Sequence, residues 1–471
     1  MNKDVQEQKV LKRKNKEQKE LRKWKGLLTK KDTKYYFTIL IIVLTIIYVV
    51  DEITSNINGT LQSAVLFDLF NITSKDVNSP EYKEAINLST LLSYPTYAFL
   101  LLAPFYKALA DKYGRRLFLA INTIGMGLGM LICMFASNIY TYTIGALLIL
   151  FVTPNDVQIM YIMEVAPPKH RAKLCSITKA LALMSVSLIG VLRMIFMNEE
   201  MSSWRNVYII PIIFALIVGF MSVFFVKETP IFMEQRIKYL EKTDEERKID
   251  EEKAKKKTRN TEGGVINAIK FILKNKQLRF IALTALIFTM STGITSYYET
   301  VMNGGKMTKE DIDVAIVFFP FANALVTMSS GFLADKFGRK KTGVTLAIGA
   351  AIMLTGFVLS VKMGGSPALI GICYGLFLGC LWSTSDLLFL VLPGESTPTS
   401  MRASVIGTMN LLLTIGTGIS WALLILGQTF FDMGWVCLVV CIPMMIIAIF
   451  ILLFKVRETK NVNLEEVTGK E

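Results

Sequence analysis

Long apolar runs follow one another from residue 36 to residue 455, separated by polar segments. Each run holds about 20 residues, the length that a helix needs to cross roughly 30 Å of hydrocarbon. The runs lack the alternation of apolar and polar residues that β-barrel strands require. The pattern therefore predicts an all-α membrane protein with twelve transmembrane helices, numbered as spans one to twelve: 36–57, 88–108, 117–137, 140–163, 174–197, 205–226, 279–301, 314–333, 343–362, 367–391, 403–429 and 434–455.

Three short motifs occur twice, in the same order, once in each half of the chain. The two copies of each motif lie 224 to 231 residues apart, about half of the 471 residues. Repetition at nearly one offset indicates a duplicated unit. Duplicated membrane halves with a pseudo-two-fold axis are typical of secondary transporters that work by alternating access. The pairs are Asp111-x-x-Gly114-Arg115-Arg116 with Asp335-x-x-Gly338-Arg339-Lys340, Glu164-x-x-Pro167-x-x-x-Arg171 with Glu395-x-x-Pro398-x-x-x-Arg402, and Val226-Lys227-Glu228-Thr229 with Val456-Arg457-Glu458-Thr459.

Basic residues concentrate on one side of this topology. The net charge is +14, with 13 Lys and Arg in residues 1–34 and 15 in residues 227–279. Because cytoplasmic loops are rich in Lys and Arg, both termini and the central segment are predicted to be cytoplasmic, in a plasma membrane protein. The basicity is thus an orientation signal, and we expect no nucleic-acid partner.

Five units follow from these patterns. The first tail could form a basic surface helix or remain a solvated, mobile segment. The units are a basic tail (1–34), a six-helix bundle (35–226), a cytoplasmic linker (227–277), a second six-helix bundle (278–455) and a C-terminal tail (456–471).

Composition excludes several other classes of protein. A mean hydropathy of +0.45 and 52% hydrophobic residues do not fit a soluble chain of this length. The six cysteines lie in or beside apolar runs and indicate no disulfide framework. The chain has one histidine, His170, no Cys/His cluster and no phosphate-binding loop. We therefore expect no enzymatic activity, no metal and no cofactor, and a monomer whose partners are the lipid bilayer and a small solute.

The motifs resemble those of a known family. Asp-x-x-Gly-Arg-[Arg/Lys], between spans two and three and again between spans eight and nine, resembles the loop motif of the major facilitator superfamily. Glu-x-x-Pro-x-x-x-Arg after spans four and ten is similar to the pattern of its sugar porter branch and related organic-solute carriers, as is Arg457-Glu458-Thr459-Lys460. The resemblance covers residues 35 to 467 and implies two pseudo-symmetric six-helix bundles that rock around a central cavity.

The loop motifs suit a conformational gate. Glycine lets a turn between two helices close tightly, and the charged groups can form contacts that hold one face shut and break in the other state. The family motif begins with a glycine four residues before the aspartate, a place that Gly331 fills in the second copy and Lys107 in the first. The predicted gate residues are Asp111, Gly114, Arg115, Arg116, Glu164, Arg171, Gly331, Asp335, Gly338, Arg339, Glu395 and Arg402.

Acidic residues inside the spans are the best guide to mechanism, because an ionisable group in hydrocarbon is costly unless it faces protein or water. They occur only in spans one, four, seven and ten, the spans that line the cavity in the fold this chain resembles. Spans two, three, six, eight, nine, eleven and twelve are predicted to be free of internal charge. The acids are Asp51, Glu52, Asp156, Glu299 and Asp386.

A carboxyl group in a low-dielectric cavity can take up a proton and couple transport to a proton gradient. Asp51 is the first choice, because Asp51 to Gly59 resembles the first-span pattern in which the sugar porter aspartate serves proton coupling. Arg193, late in span five, is predicted to pair with Asp51 or Glu52. Other candidates for the cavity, each equally compatible with plain packing, are Asn155, Gln158, Tyr161, Tyr297, Tyr298 and Trp382.

Signals for the substrate are weaker. Sugar porters pair the first-span aspartate with an arginine in span four, and the matching position here is Ile144. Their seventh span carries a glutamine pair, and here Met290-Ser291 stands in that region while Gly293, Tyr297 and Tyr298 match. The missing glutamine amides, which are good ligands for sugar hydroxyls, weigh against a hexose.

Four functions remain compatible with the sequence. The first is a secondary active transporter for a small polar organic solute (a sugar derivative, an organic acid or an amine), driven by proton symport. The alternative is a proton-driven drug or cation exporter of the antiporter type, which the acids of the cavity favour. A facilitator without coupling and a transporter-like membrane sensor that does not transport complete the set.

Overall fold

The structure is a computed structural model in which all described elements are helices and turns. Some sequence predictions fall outside the described part of the chain: those for Lys107, Asp111, Asn155 and Asp156, and for the side chain of Arg171. The described residues are 3–29, 35–96, 106, 109, 113–153, 157–167, 171–243, 245–247, 249, 265–305, 307–398 and 401–460.

Apolar composition and length dictate where the chain crosses the membrane. Within the described ranges, ten helical segments are long and apolar enough to span a bilayer. Span four is described on either side of residues 154–156, as Ile139–Val152 and Val157–Val165, and span two begins as Pro80–Ser93. The helices of the first half are Tyr36–Thr60, Gln62–Leu69, Pro80–Ser93, Arg115–Met134, Ile139–Val152, Val157–Val165, Arg171–Ser185, Ser187–Phe196, Trp204–Tyr208 and Ile209–Phe225.

The second half repeats this arrangement, so the twelve-helix prediction is confirmed. Span eight begins at Lys309, five residues before the predicted boundary, because Thr308 and Asp311 form a capping box at its first turn. The helices of the second half are Lys276–Thr289, Thr292–Ser296, Tyr298–Gly304, Lys309–Phe337, Arg339–Lys362, Pro367–Asp386, Leu387–Val391, Leu392–Glu395, Arg402–Gly427 and Met433–Lys455.

Span seven is interrupted where it approaches span eleven. The helix Lys276–Thr289 ends, a short 3₁₀-helix covers Thr292–Ser296, and an α-helix resumes at Tyr298. The backbone N–H of Gly293 donates to the Ser420 hydroxyl at 2.9 Å, and a Cβ at Gly293 would lie only 2.6 Å from that oxygen. Glycine is therefore needed for this close approach, and the break sets the position of Tyr297, Tyr298 and Glu299.

A further helix, Lys3–Thr29, precedes span one and packs on Pro230–Glu241, the helix that follows span six. The Trp24 ring meets the Phe232 ring edge to face at 5.9 Å. Glu20 pairs with Arg236 at 2.9 Å, and Glu17 pairs with Arg247 at 3.0 Å. Of the two alternatives for the basic tail, the described part forms a helix attached to the linker.

Candidate functional site

The paired loop motifs lie at one end of the molecule, which we call the motif side, and the opposite end is the far side. In the first half, the Glu228 carboxylate accepts hydrogen bonds from the backbone N–H groups of Arg115 at 3.0 Å and Arg116 at 3.2 Å. These are the first N–H groups of span three, which have no partner within the helix. Gly114 has a φ of 111°, and a Cβ there would lie 2.3 Å from Glu228 Oε2. A negative charge thus caps the positive end of the helix dipole.

The second half has the same cap. Glu458 accepts from the backbone N–H groups of Arg339 at 2.8 Å and Lys340 at 3.3 Å, at the start of span nine. Gly338 has a φ of 106°, and its Cβ would lie 2.4 Å from Glu458 Oε2. Both motifs are visible in the sequence, but these two glutamates are not among the gate residues predicted from it. The repeat itself was the signal, since each glutamate follows its Asp-x-x-Gly-Arg loop by a similar distance.

The side chains of the loop arginines connect the remaining motif. Arg115 pairs with Glu164 at 2.7 Å, and Arg339 pairs with Glu395 at 3.0 Å. Arg339 also pairs with Asp335 at 3.0 Å. Three motifs that are distant in sequence therefore converge on one site in each half.

The two capping carboxylates differ in their proton affinity. Burial raises the pKa of Glu228 and outweighs the backbone N–H groups that stabilise its charge. Burial acts in the same direction on Glu458, but four backbone N–H groups prevail and lower the pKa of that carboxyl. The two caps thus have the same geometry, but the carboxyl of Glu228 holds a proton more readily than that of Glu458.

Two predicted gate residues behave differently from the rest. A Cβ at Gly331 would meet no described atom within 4 Å, so no helix in the described part of the chain approaches it closely. The buried Nε and Nη2 atoms of Arg402 make no hydrogen bond to a residue that the structure describes. Arg402 therefore has bonding capacity left over in this conformation.

On the far side, a fully buried cluster joins the two halves. Arg193 of span five pairs with Asp313 of span eight, Nε to Oδ1, at 2.6 Å. Its Nη1 atom lies 3.6 Å from Glu299 Oε1 of span seven and also donates to the Thr60 carbonyl. Lys309 pairs with the other oxygen of Asp313 at 3.0 Å. We call Arg193, Glu299, Lys309 and Asp313 the far-side cluster.

Hydrogen bonds around the cluster also cross between the halves. The second oxygen of Glu299 accepts from the backbone N–H of Ser63 at 2.8 Å. The Tyr82 hydroxyl lies 3.1 Å from the Ser63 hydroxyl and 3.0 Å from that of Thr300. The far side is closed by these contacts.

Span two adds further contacts between the halves. The Thr90 and Tyr297 hydroxyls lie 2.7 Å apart. Tyr94 donates to the Gly418 carbonyl at 3.2 Å, and Lys83 donates to the Gln428 carbonyl at 3.1 Å. Tyr297, a predicted cavity residue, therefore helps to close the interface.

The pairing predicted for Arg193 was wrong. Arg193 contacts span one at its end, Thr60, about 12 Å along the helix from Glu52 at 1.5 Å per residue. The carboxylate of Asp51 is buried and accepts from the Gln158 amide at 2.7 Å. Span one therefore contributes its acids deeper in the protein than the far-side cluster.

Lys309 and Asp313 are not among the site residues predicted from the sequence. Span eight was predicted to begin at residue 314 and to be free of charge, whereas its helix begins at Lys309 and buries both groups. The signal was present, because Thr308 followed three residues later by Asp311 is typical of a helix start.

Of the other predicted cavity residues, some are packed inside the protein and others lie on an exposed face of a helix. Tyr298 stacks on Tyr374 with ring centroids 4.6 Å apart inside the second half. Tyr161 is buried. Trp382 and Asp386, four residues apart on span ten, lie on the same exposed strip of that helix.

Comparisons with known proteins agree with this architecture. A family model described as Major Facilitator Superfamily matches residues 37–421. "Glucose transporter GlcP" of Staphylococcus epidermidis is 24% identical over 436 residues, which is 87% of this chain and 92% of that protein. The structure resembles the inward open conformation of the xylose transporter XylE from E. coli, with a TM-score of 0.64, 18% identity and coverage of 92% and 99%. A D-xylose-proton symporter gives a TM-score of 0.64, 17% identity and coverage of 91% and 100%.

The chain belongs to the Major Facilitator Superfamily, since the family model covers most of its length. It is a multi-pass membrane transporter with two six-helix halves, and it is not an enzyme.

Proposed function

We propose that this protein is a secondary active transporter that moves a small polar organic solute by alternating access, in symport with protons. Both termini and the motif side face the cytoplasm, and the far side faces the outside of the cell. The concentration of Lys and Arg in the two cytoplasmic segments supports this orientation. A sugar derivative, an organic acid or an amine is the expected solute.

The observation that carries the proposal is the closed far side. Alternating access needs one end of the interface between the halves to close with contacts that can break again. The far-side cluster supplies such contacts, since Arg193 of one half lies 2.6 Å from Asp313 of the other. On the motif side, Glu228 and Glu458 cap the first turns of spans three and nine in the same way, so the two halves have equivalent helix caps there.

Asp51 is the proposed coupling residue. Its carboxylate is buried in span one and accepts from Gln158 of span four at 2.7 Å. In the sugar porter pattern the first-span aspartate is paired with an arginine, and here Ile144 takes that place. The amide of Gln158 orients the carboxylate by a hydrogen bond without adding a positive charge itself, whereas a guanidinium would add one.

The solute is proposed from chemistry and from the relatives together. The glucose and xylose transporters named above favour a sugar-like solute with several hydroxyl groups. The absence of the seventh-span glutamine pair argues against an unmodified hexose. A sugar derivative reconciles both observations.

The test is uptake into proteoliposomes with an imposed proton gradient, over a panel of sugars, sugar derivatives, organic acids and amines. Replacing Asp51→Asn is expected to abolish gradient-driven accumulation while sparing counterflow, because only the proton site is lost. A matched control is Asp432→Asn, which removes a partner of Lys362 near the far surface and should leave both activities intact. Loss of neither activity in D51N would contradict the assignment of Asp51.

The exporter is the second candidate, favoured by the exposed strip that carries Trp382 and Asp386. An aromatic ring and a carboxylate close together suit an organic cation. Thermal-shift measurements at two pH values separate the candidates, since bound ligand raises the apparent stability of the folded state. Stabilisation only by lipophilic amines, weakening as the pH falls, would favour the exporter over the symporter.

A further inference from the structure

The charges of the far-side cluster are divided unequally between the two halves. Arg193 belongs to the first half, whereas Glu299, Lys309 and Asp313 belong to the second. In the closed state two cations face two carboxylates, and the cluster is neutral. All four side chains are buried, and the charged parts of Arg193, Glu299 and Asp313 have no exposed surface.

The cluster is incompletely satisfied even when it is closed. Arg193 Nη2 and Glu299 Oε1 make no hydrogen bond within the described part of the chain. A buried charge needs both its counter-charge and its hydrogen bonds to offset the cost of leaving water. Glu299 therefore depends on the guanidinium of the opposite half, at 3.6 Å, for the stability of its charge.

Opening the far side would separate the cluster by halves. The first half would keep Arg193 alone, and the second half would keep two carboxylates with one lysine. Water from the far side would then reach Glu299 and Asp313. A pair of carboxylates that share one cation holds an extra proton more readily than an isolated carboxylate does.

We propose that Glu299 and Asp313 form a proton-binding site that is loaded from the far side, and that Arg193 competes with the proton for this site. The proposal rests on the alternating access of the proposed function. It adds a proton site at the interface between the halves, separate from the Asp51 and Gln158 pair inside the first half.

Other ionisable groups also face this site, from both halves. The Tyr82 hydroxyl of span two contacts the hydroxyls of Ser63, whose backbone N–H donates to Glu299, and of Thr300, the next residue in the chain after Glu299. Tyr298 is adjacent to Glu299 in the chain and stacks on Tyr374. Glu199 of the first half and Glu310 of the second half lie at the surface near Lys309, where their two carboxyl groups interact with each other. Among the described residues around the site, Arg193 and Lys309 are the cations.

The competition gives the proton a defined effect on conformation. When Glu299 carries a proton, the return of Arg193 would bury a net positive charge, so the protonated protein stays open on the far side. When the proton leaves, the guanidinium re-pairs with both carboxylates and the far side closes. The proton thus acts as a ligand that binds one conformation better than the other.

The experiment measures the distance between the halves on the far side, without substrate. Spin labels are placed at Glu200→Cys and Met363→Cys, two exposed positions at the far ends of spans five and nine. The background lacks the two partly exposed cysteines, Cys175 and Cys373. The protein is reconstituted in nanodiscs, and distance distributions are recorded by double electron–electron resonance over a range of pH.

In the parent protein, the population with the longer distance is expected to grow as the pH falls. Glu299→Gln mimics the protonated acid, so it should raise the open-to-closed ratio by roughly 100-fold and flatten the pH response. Asp313→Asn should act in the same direction, and it serves as the second variant if E299Q does not fold. Arg193→Lys keeps the charge and should retain a pH response.

The matched control is Asp68→Asn. Asp68 pairs with Arg205 on the same side, but both residues belong to the first half, so this variant should keep the parent's pH response. The proposal is overturned if E299Q and D313N keep that response, if D68N abolishes it, or if sodium at constant pH moves the distance instead. Because no transport is measured, failure of this proposal leaves the proteoliposome test of Asp51 unaffected.

Discussion

Arg193 is a guanidinium held entirely inside the protein, where it meets Asp313, Glu299 and the Thr60 carbonyl. Removing one partner of a buried ion pair leaves an uncompensated charge and costs about 3–5 kcal/mol. Such a buried guanidinium is tolerated when acidic partners neutralise it in one conformation and water can replace those partners in the other. The identity of its neighbours, rather than its position late in span five, gives Arg193 its role.

The motif loops need glycine for two reasons: the backbone has a positive φ at Gly114 and Gly338, and a Cβ there would collide with a glutamate. We predict that Gly338→Ala lowers the free energy of unfolding by roughly 1–3 kcal/mol, because alanine is strained at a φ of 106° and its Cβ would meet Glu458. Thermal unfolding in detergent measures the loss. The control is Gly331→Ala, where a Cβ has open space and alanine suits the helix. An equal loss in both variants would contradict this explanation.

The two capping carboxylates are expected to respond to pH with opposite signs. The pKa of Glu458 is lowered on folding, so its ionised form adds stability above the unfolded value of about 4.5 and loses it as the pH falls through the folded value. The pKa of Glu228 is raised, so its contribution is present below 4.5 and is lost as the pH rises through the folded value. Melting temperatures of Glu458→Gln and Glu228→Gln between pH 3 and pH 8 test both signs.

At neutral pH we therefore expect Glu458→Gln to be the more destabilising of the two variants. Both substitutions remove the same geometry, a carboxylate over the first N–H groups of a helix, so each serves as the control for the other. Equal melting temperatures over the whole pH range would show that the backbone contacts alone determine stability.

At the scale of elements, the helix Lys3–Thr29 is attached to the linker by a small set of contacts. Trp24 packs on Phe232, and Phe232 in turn lies 3.5 Å from the place of a Cβ at Gly114. The tail is therefore connected through one aromatic ring to the first motif loop. Three ion pairs add to this attachment: Glu20 with Arg236, Glu17 with Arg247 and Lys25 with Glu241.

We predict that Trp24→Ala releases this helix, because loss of the ring contact removes its main apolar anchor, about 1–3 kcal/mol of burial. Limited proteolysis should then cut residues 3–29 faster, several-fold relative to the parent protein. Lys16→Ala, an exposed position on the same helix, is the control and should leave the rate unchanged. Unaltered cleavage in W24A would indicate that the ion pairs hold the helix without the ring.

At the scale of the whole molecule, the twelve spans and the duplication could be predicted from the sequence. Apolar runs of about 20 residues have few alternatives to membrane helices, since every backbone polar group in lipid must be bonded internally. The repeated motifs likewise indicated which loops belong to equivalent places. Boundaries were less certain, and at Lys309 an error of five residues concealed Asp313.

The candidate site, too, could be predicted from the sequence only in part. Sequence alone determined the class of protein, the duplicated architecture and the acids placed within spans one and seven, because these depend on composition and local periodicity. Only the tertiary structure decided that Arg193 pairs with Asp313 and Glu299, and that Glu228 and Glu458 cap helices far away in the chain. Such pairings depend on how helices tilt and meet over separations of more than 100 residues, and a local pattern carries no information on that geometry.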